Sequence, residues 1–363
     1  MKWYYTCNDK KFSSKVKALE ENIDTAKGVF FHANPSWNDF NFSIDPDMDW
    51  RNLLRQEAKY IRDTYTYIRI WYSGGSDSHL VLQSFADNNI FVDEIVCMKS
   101  GIGDADYEIN QYAIEQIKKY NLINTKVTII DPTVNDYVEY YTKDWSKKDI
   151  PEWNYHFRMI YHNKLSQDEH RKDKTINVFG AEPPRLIHKN NHWYMYFLDA
   201  DIEESYNKYN FFVENPILHA KQCHMLLKAI KQYKTVNEYN EICHTPKHEK
   251  FCREHTGRFN NPYVFPRKIE YWGDKERNYL MLGDRKIYFT SKKESNALQI
   301  ILKDAPELLK KWHEGLEQMF HFESWRNYGA SELGTLGVLT KFYSLQDESV
   351  RTVDELFPKG FNV

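Results

Sequence analysis

The chain has 363 residues, a formal net charge of −3 and 41% hydrophobic residues. It is long enough to bury one large core or two modest ones, and too nearly neutral to be drawn to nucleic acid by overall charge. No apolar run approaches the roughly 18 residues of a membrane span, and the opening Met1-Lys2-Trp3-Tyr4-Tyr5 lacks the pattern of a signal peptide, so a soluble cytoplasmic protein with no membrane partner is expected. Cys7, Cys97, Cys223, Cys243 and Cys252 form no CxxC pair, which speaks against a disulfide scaffold.

From the N-terminus to about Asp49, short strand-like and helical pieces alternate, among them Ser13 to Asn22 and Gly28 to His32. A turn-rich stretch from Asn34-Pro35 to Asp45-Pro46-Asp47 follows. Asp49 has the character of an N-cap, and Leu54, Ala58 and Ile61 recur at helical spacing. Residues 1–65 are thus read as an α+β extension. An apolar strand, Tyr67 to Tyr72, opens the next unit. A helix-like run from His79 to Asp87, a strand at Val92 to Met98, a helix around Tyr107 to Tyr120 and a strand at Lys126 to Ile130 come after it. Helix-compatible sequence from Val134 to Leu165 leads to a fourth strand, Thr175 to Phe179.

This alternation predicts right-handed βαβ units over residues 66–200: an α/β fold, a parallel twisted sheet with helices on both faces and ligands at the carboxyl ends of its strands. Trp193 to Leu198 either extends the sheet or makes a hairpin with Leu186-Ile187. Residues 201–363 read as a mostly helical acceptor or partner domain. Pro216 to Tyr233 and Ala305 to Phe320 have amphipathic periods, and Asn278 to Leu282 and Arg285 to Thr290 flank Gly283-Asp284 as a β-hairpin.

The string Ser73-Gly74-Gly75-Ser76-Asp77-Ser78 lies between the first strand of this unit and its helix. Adjacent glycines let the backbone bend sharply and turn successive N–H groups toward anionic oxygens, while the next helix presents its positive end. The Ser73 and Ser78 hydroxyls are further donors. Asp77 would repel a phosphate unless Mg²⁺ lies between them, so the loop predicts a metal-bound nucleotide. It has neither the Gly-Lys-Ser/Thr ending of a Walker loop nor the spacing of a dinucleotide fingerprint.

The string resembles the SGGxDS signature of the PP-loop ATP pyrophosphatases, and in motif the synthetase domain of the asparagine synthetases above all. The resemblance covers roughly residues 66–200, and its specific part is the loop. It implies a Rossmann-like fold, ATP and Mg²⁺ as cofactors, and cleavage of ATP between its α and β phosphates with transfer of AMP to a substrate oxygen. It also implies that Ser73, Gly74, Gly75, Ser76 and Ser78 hold the β and γ phosphates, that Asp77 holds Mg²⁺, and that Cys97-Met98-Lys99 lies near adenine, with Met98 in backbone contact. Lys99 is either a phosphate ligand or a surface lysine.

The loop Gly180-Ala181-Glu182-Pro183-Pro184-Arg185 is a second site candidate. Glu182 would bind a second Mg²⁺ or orient the acceptor, and Arg185 would neutralise charge on the transferred phosphoryl unit. The competing reading is a plain turn capped by two prolines. Asp104, Asp106 and Glu108 are either metal or amine ligands or a solvated helix start. Cys223, His224, Cys243, His244, His248, Cys252 and His255 are zinc-ligand types without a standard zinc spacing, so zinc is a minor alternative to packed thiols and surface histidines.

Residue 2 is Lys, and no Gly-x-Cys-x-Gly elbow occurs, so the chain is expected to lack its own glutaminase. The nitrogen would come from free ammonia, a bound amine or a separate donor protein. The resulting expectation is an AMP-forming, ATP-dependent ligase or amidotransferase-like synthetase acting on a small-molecule or nucleobase acceptor. One alternative is a nucleobase, tRNA or DNA modifying enzyme that docks nucleic acid on basic clusters such as Lys247, Lys250, Arg253 and Arg258. The other is a non-catalytic nucleotide-binding protein.

Overall fold

The computed structural model describes residues 3–13, 17–18, 21, 29–99, 108–120, 122–133, 135–136, 174–180, 185–189, 191–197, 207–231 and 340–356. Tyr4–Cys7 (β1), Lys10–Phe12 (β2) and Phe30–His32 (β3) form a small antiparallel sheet with β1 in the middle. Asp49 then caps helix α1, Trp50–Thr64, by accepting a hydrogen bond from the Asn52 amide at 3.0 Å. Leu53, Leu54, Ala58 and Ile61 are buried at the spacing of one helical face. Glu57 lies on the same buried face, and its carboxylate accepts hydrogen bonds from the Tyr209 hydroxyl and, at 2.7 Å, from Asn215 Nδ2.

Beyond α1 the described elements are strand β4 (Tyr67–Trp71), helix α2 (Ser76–Ala86) and strand β5 (Glu94–Met98). A π-helical turn, Glu108–Ala113, runs into helix α3 (Ile114–Lys119). Strands β6 (Lys126–Ile130), β7 (Thr175–Phe179), β8 (Arg185–Lys189), β9 (His192–Tyr196) and β10 (Lys208–Asn210) follow, then helix α4 (Pro216–Lys231). Strands β11 (Phe342–Ser344) and β12 (Val350–Arg351) and the short helix α5 (Val353–Leu356) complete the described chain.

The main sheet has the order β10-β7-β4-β5-β6, and every pairing in it is parallel. The fold is therefore α/β around a five-stranded parallel sheet. Strands β4, β5 and β6 step outward in one direction. The chain then returns to place β7 and β10 on the other side of β4, so the order reverses between β4 and β7. Strands β8, β9, β11 and β12 make a second, antiparallel sheet.

The two faces of the parallel sheet differ. Ile68, Ile70, Ile95, Cys97, Ile176 and Val178 share one core with Ala58 and Ile61 of α1, Val81 and Phe85 of α2, Ile117 of α3 and Leu218 of α4. The residues between them face the other way and include a buried charged pair: Arg69 Nε lies 2.8 Å from Glu94 Oε2, and both side chains are almost wholly enclosed. Tyr67 and Thr128 donate their hydroxyls to the same carboxylate, Lys126 reaches it at 3.0 Å, and Asn177 Oδ1 accepts from Arg69 and from Trp71 Nε1. Nearer the carboxyl ends of the strands this face becomes apolar, with Trp71, Val96 and Phe179 packed together.

Several expected elements take a different form. Helix α2 starts at Ser76 and not at His79, because Gly75, extended at φ −71 and ψ 166, serves as its N-cap. The fifth strand, β10, lies beyond residue 200. Trp193 pairs with His188 in a β8–β9 hairpin, one of the two arrangements open to it. Most of Ser13 to Asn22, and all of residues 137–165, 278–290 and 305–320, lie outside the described residues, as does the helical layer expected on the second face. No helix among the described residues is long and apolar enough to cross a membrane.

Burial opposes ionisation of Glu94, but the hydrogen bonds from Thr128 and Arg69, the Arg69 charge and Lys126 outweigh it and hold the carboxyl down to about 2 from an ordinary 4.5. A carboxyl lowered by folding adds stability above its unfolded value, and that stability is lost as pH falls toward the folded one. Glu94→Gln is therefore expected to flatten the loss of stability between about pH 4.5 and about pH 2. Arg69→Leu, which leaves the carboxylate buried without its partner, should cost about 3–5 kcal/mol at neutral pH. Urea unfolding of both variants at neutral pH and near pH 3 checks this; a Glu94→Gln acid limb as steep as that of the unaltered chain contradicts it.

Candidate functional site at the β4–α2 loop

Residues Ser73 to Ser78 bridge β4, the central strand of the parallel sheet, to α2. The reversal of direction begins at Gly74, which sits at φ 76, a left-handed backbone that glycine adopts without strain. Gly75 then caps the helix without a side chain, so the first turn of α2 has no side-chain cap hydrogen bond. The N–H groups at the start of a helix have no partner within it and carry the positive end of its dipole. Asp77 occupies the second position of that turn and is partly exposed.

The serines brace the loop. Ser73 Oγ and Ser78 Oγ lie 3.1 Å apart, Ser73 N donates to Ser78 Oγ at 3.2 Å, Gly75 N donates to Ser73 Oγ at 3.2 Å, and Ser78 Oγ donates to the Gly75 carbonyl at 3.2 Å. Their hydroxyls are thus engaged within the loop, and no side chain caps the first turn of α2. The Ser76 side chain lies outside the described residues.

On the neighbouring strand, Gly180 follows β7 and lies against the loop backbone. A Cβ built there would stand 2.7 Å from the Asp77 carbonyl carbon and 2.8 Å from Ser78 N. The chain therefore leaves β7 at Gly180 directly beside Asp77 and Ser78. Ala181 to Pro184, Glu182 among them, and the Arg185 side chain lie outside the described residues, while the Arg185 backbone opens β8 opposite Tyr196.

Lys99 and Met98 stand at the carboxyl end of β5, one strand along from the loop. Met98 packs against the cluster of Trp71, Val96 and Phe179. The Lys99 ammonium pairs with Asp131 at 3.0 Å, and because that carboxylate is largely exposed, the pair is weak and exchangeable. Burial pushes the adjacent Cys97 thiol up to about 12, which keeps it from acting as a thiolate.

Among the other candidates, Glu108 opens the π turn, and Asp104 and Asp106 lie outside the described residues. Cys223 is a buried thiol raised well above its ordinary value by burial, and His224 Nε2 donates to the Phe42 carbonyl at 2.8 Å. Cys243, His244, His248, Cys252 and His255 lie outside the described residues. Among the described residues no three His, Cys, Asp or Glu side chains converge as a metal site. A cleft of about 270 Å³ between the N-terminal turn and the β11–β12 connection, with Asp39, Asp347 and Glu348 on its walls, shares no residue with the loop.

Two residues around the loop carry weight that their letters hide. The close approach of Gly180 is a three-dimensional fact whose only trace in sequence is a glycine after the apolar run Thr175 to Phe179. His79 is a polar residue ahead of Leu80-Val81-Leu82, and its position one residue past the loop is the available signal. No family model matches the chain, and no curated protein is significantly similar to it.

Gly180→Ala puts a methyl group against backbone that has no side chain to move aside. It is expected to cost about 1–3 kcal/mol and to shift the loop. Thermal unfolding, combined with amide hydrogen exchange at residues 74–78, measures both effects; an alanine variant unchanged in both contradicts the close approach.

Proposed function

We propose that this chain is a PP-loop, Rossmann-like ATP pyrophosphatase that binds Mg·ATP on Ser73–Ser78 and adenylates an oxygen of an acceptor. One observation carries the reading: the loop leaves the central strand where the strand order reverses, faces Gly180 across that point, and opens a helix whose first turn has no side-chain cap. Open α/β sheets gather ligands at such points, and helix N-termini attract phosphates. The resemblance of the loop to the SGGxDS signature supports ATP over other phosphorylated ligands, and cleavage between the α and β phosphates over removal of the γ phosphate.

In this reading the first-turn amides of α2 bind phosphate oxygens, and Gly74 and Gly75 allow their close approach. Asp77 holds Mg²⁺, which when bound neutralises phosphate charge and activates the α phosphorus toward attack. Met98 flanks adenine, and Lys99 exchanges Asp131 for a phosphate oxygen. On the segment leaving Gly180, Glu182 orients the acceptor or binds a second Mg²⁺, and Arg185 neutralises charge developing on the transferred group. A carboxylate, amide or ring carbonyl oxygen attacks the α phosphorus, the bond to the bridging oxygen breaks and pyrophosphate leaves. A nitrogen nucleophile then attacks the carbon that bears the adenylated oxygen, and that carbon–oxygen bond breaks to release AMP. Catalysis by this chain is positioning and charge neutralisation.

Incubation with α-labelled ATP, Mg²⁺ and a panel of acceptors is expected to yield AMP and pyrophosphate in equal amounts. Asp77→Asn should lower turnover on the order of a hundredfold while leaving the unfolding temperature near that of the unaltered chain. ADP as the only product contradicts the reading.

A further inference from the structure

His79 follows the loop by one residue, is wholly buried, and has both ring nitrogens engaged. The Tyr72 hydroxyl lies 2.8 Å from Nδ1 and the Tyr120 hydroxyl 3.1 Å from Nε2. Tyr72 is the residue just before Ser73, so the Nδ1 contact joins the two shoulders of the loop and closes a ring around it. The His79 amide adds a second tie by donating to the Gly75 carbonyl at 2.9 Å. The Nε2 contact fastens this ring to Tyr120, the residue that caps α3.

An apolar side chain would fill this interior position without burying an imidazole and two hydroxyls. A buried polar network gives little net stability but tolerates few alternative geometries. The loop it encloses contains Gly74 and Gly75, the residues with the widest conformational freedom, so a constraint on its shoulders reduces the ordering that ligand binding would otherwise have to supply.

We propose that His79 is a positioning residue for the loop, acting through its Nδ1 contact with Tyr72 to hold the α2 amides ready for a phosphate ligand. The nucleotide part of this inference rests on the proposed function; the conformational part does not.

An asparagine amide reaches the place of Nδ1 and a glutamine amide that of Nε2, so His79→Asn keeps the Tyr72 partner and His79→Gln keeps the Tyr120 partner. Amide hydrogen exchange at residues 74 and 76–78 of the nucleotide-free chain, and the Kd for Mg·ATP by calorimetry, are read for each variant alongside urea unfolding. His79→Gln is expected to speed loop exchange and weaken Mg·ATP binding by about tenfold, the worth of one hydrogen bond. His79→Asn should rescue both to within about threefold. Tyr72→Phe, which removes a single oxygen atom, should reproduce His79→Gln.

The proposal is overturned if the Asn and Gln variants lose global stability alike while loop exchange keeps pace only with that loss. It is equally overturned if Tyr72→Phe leaves loop exchange unchanged. If the unaltered chain does not bind Mg·ATP but loop exchange follows the expected pattern, the clamp stands and the nucleotide assignment fails.

Discussion

The approach of Gly180 to the Asp77–Ser78 backbone is the constraint on which the candidate site depends. It follows from the pairing of β4 with β7, in which Tyr67 stands beside Thr175 and Ile70 beside Val178. That register brings Trp71 and Phe179 together, their rings stacked at 5.7 Å and 10°, and makes the residues leaving both strands emerge side by side. A side chain in place of the Gly180 hydrogen would drive the strand end and the loop apart, because the three nearest atoms opposite are backbone atoms of Asp77 and Ser78. The chain leaving β7 would then depart from another point relative to the loop.

No short turn can enforce that register. Parallel strands need crossover connections, and the chain passes through β5 and β6 before it returns to β7. The register must come from side chains, and the two faces of the sheet specify it in different ways. A slip of one residue would turn Ile176 and Val178 away from the helices and set Asn177 against them. The slip would also part Asn177 from Arg69 and Trp71. A buried ion pair such as Arg69–Glu94 adds little net stability, yet an unpaired Glu94 inside the sheet would be costly, so mispaired arrangements are penalised. The polar half of the sheet thus acts on alignment, and the apolar half supplies most of the driving force.

This division explains what can be read from the letters. The β4, β6 and β7 strands are legible because β-branched and aromatic runs bounded by polar turns are local signals, and the Asp49 cap and the α1 stripe are equally local. Strand β10 is not legible: Lys208-Tyr209-Asn210 is short and mostly polar, and it is a strand only because β7 offers it a free edge. The helical pattern of the sequence begins three residues late, at His79, because a glycine pair reads as loop, whereas Gly75 is already the cap. The loop is legible as a motif, but the inward engagement of its serine hydroxyls depends on Ser73 and Ser78 meeting across the turn. Proximity of that kind is absent from spacing alone, and the same holds for His79 and its two tyrosines.

The braced loop also bears on the kind of anion it suits. Ser73 and Ser78 are bonded to each other and to loop backbone, and the start of α2 contributes the equivalent of roughly half a positive charge. Asp77 places a full negative charge in the same turn. These two contributions taken together disfavour a bare phosphate, although the backbone geometry suits one. A divalent cation held by Asp77 would offset that charge. Under the proposed function, geometry and charge are satisfied together when the anion arrives already carrying its metal. Under the proposed function, an asparagine at this position would remove that repulsion, and with it the preference for a metal-bound nucleotide over a bare phosphate.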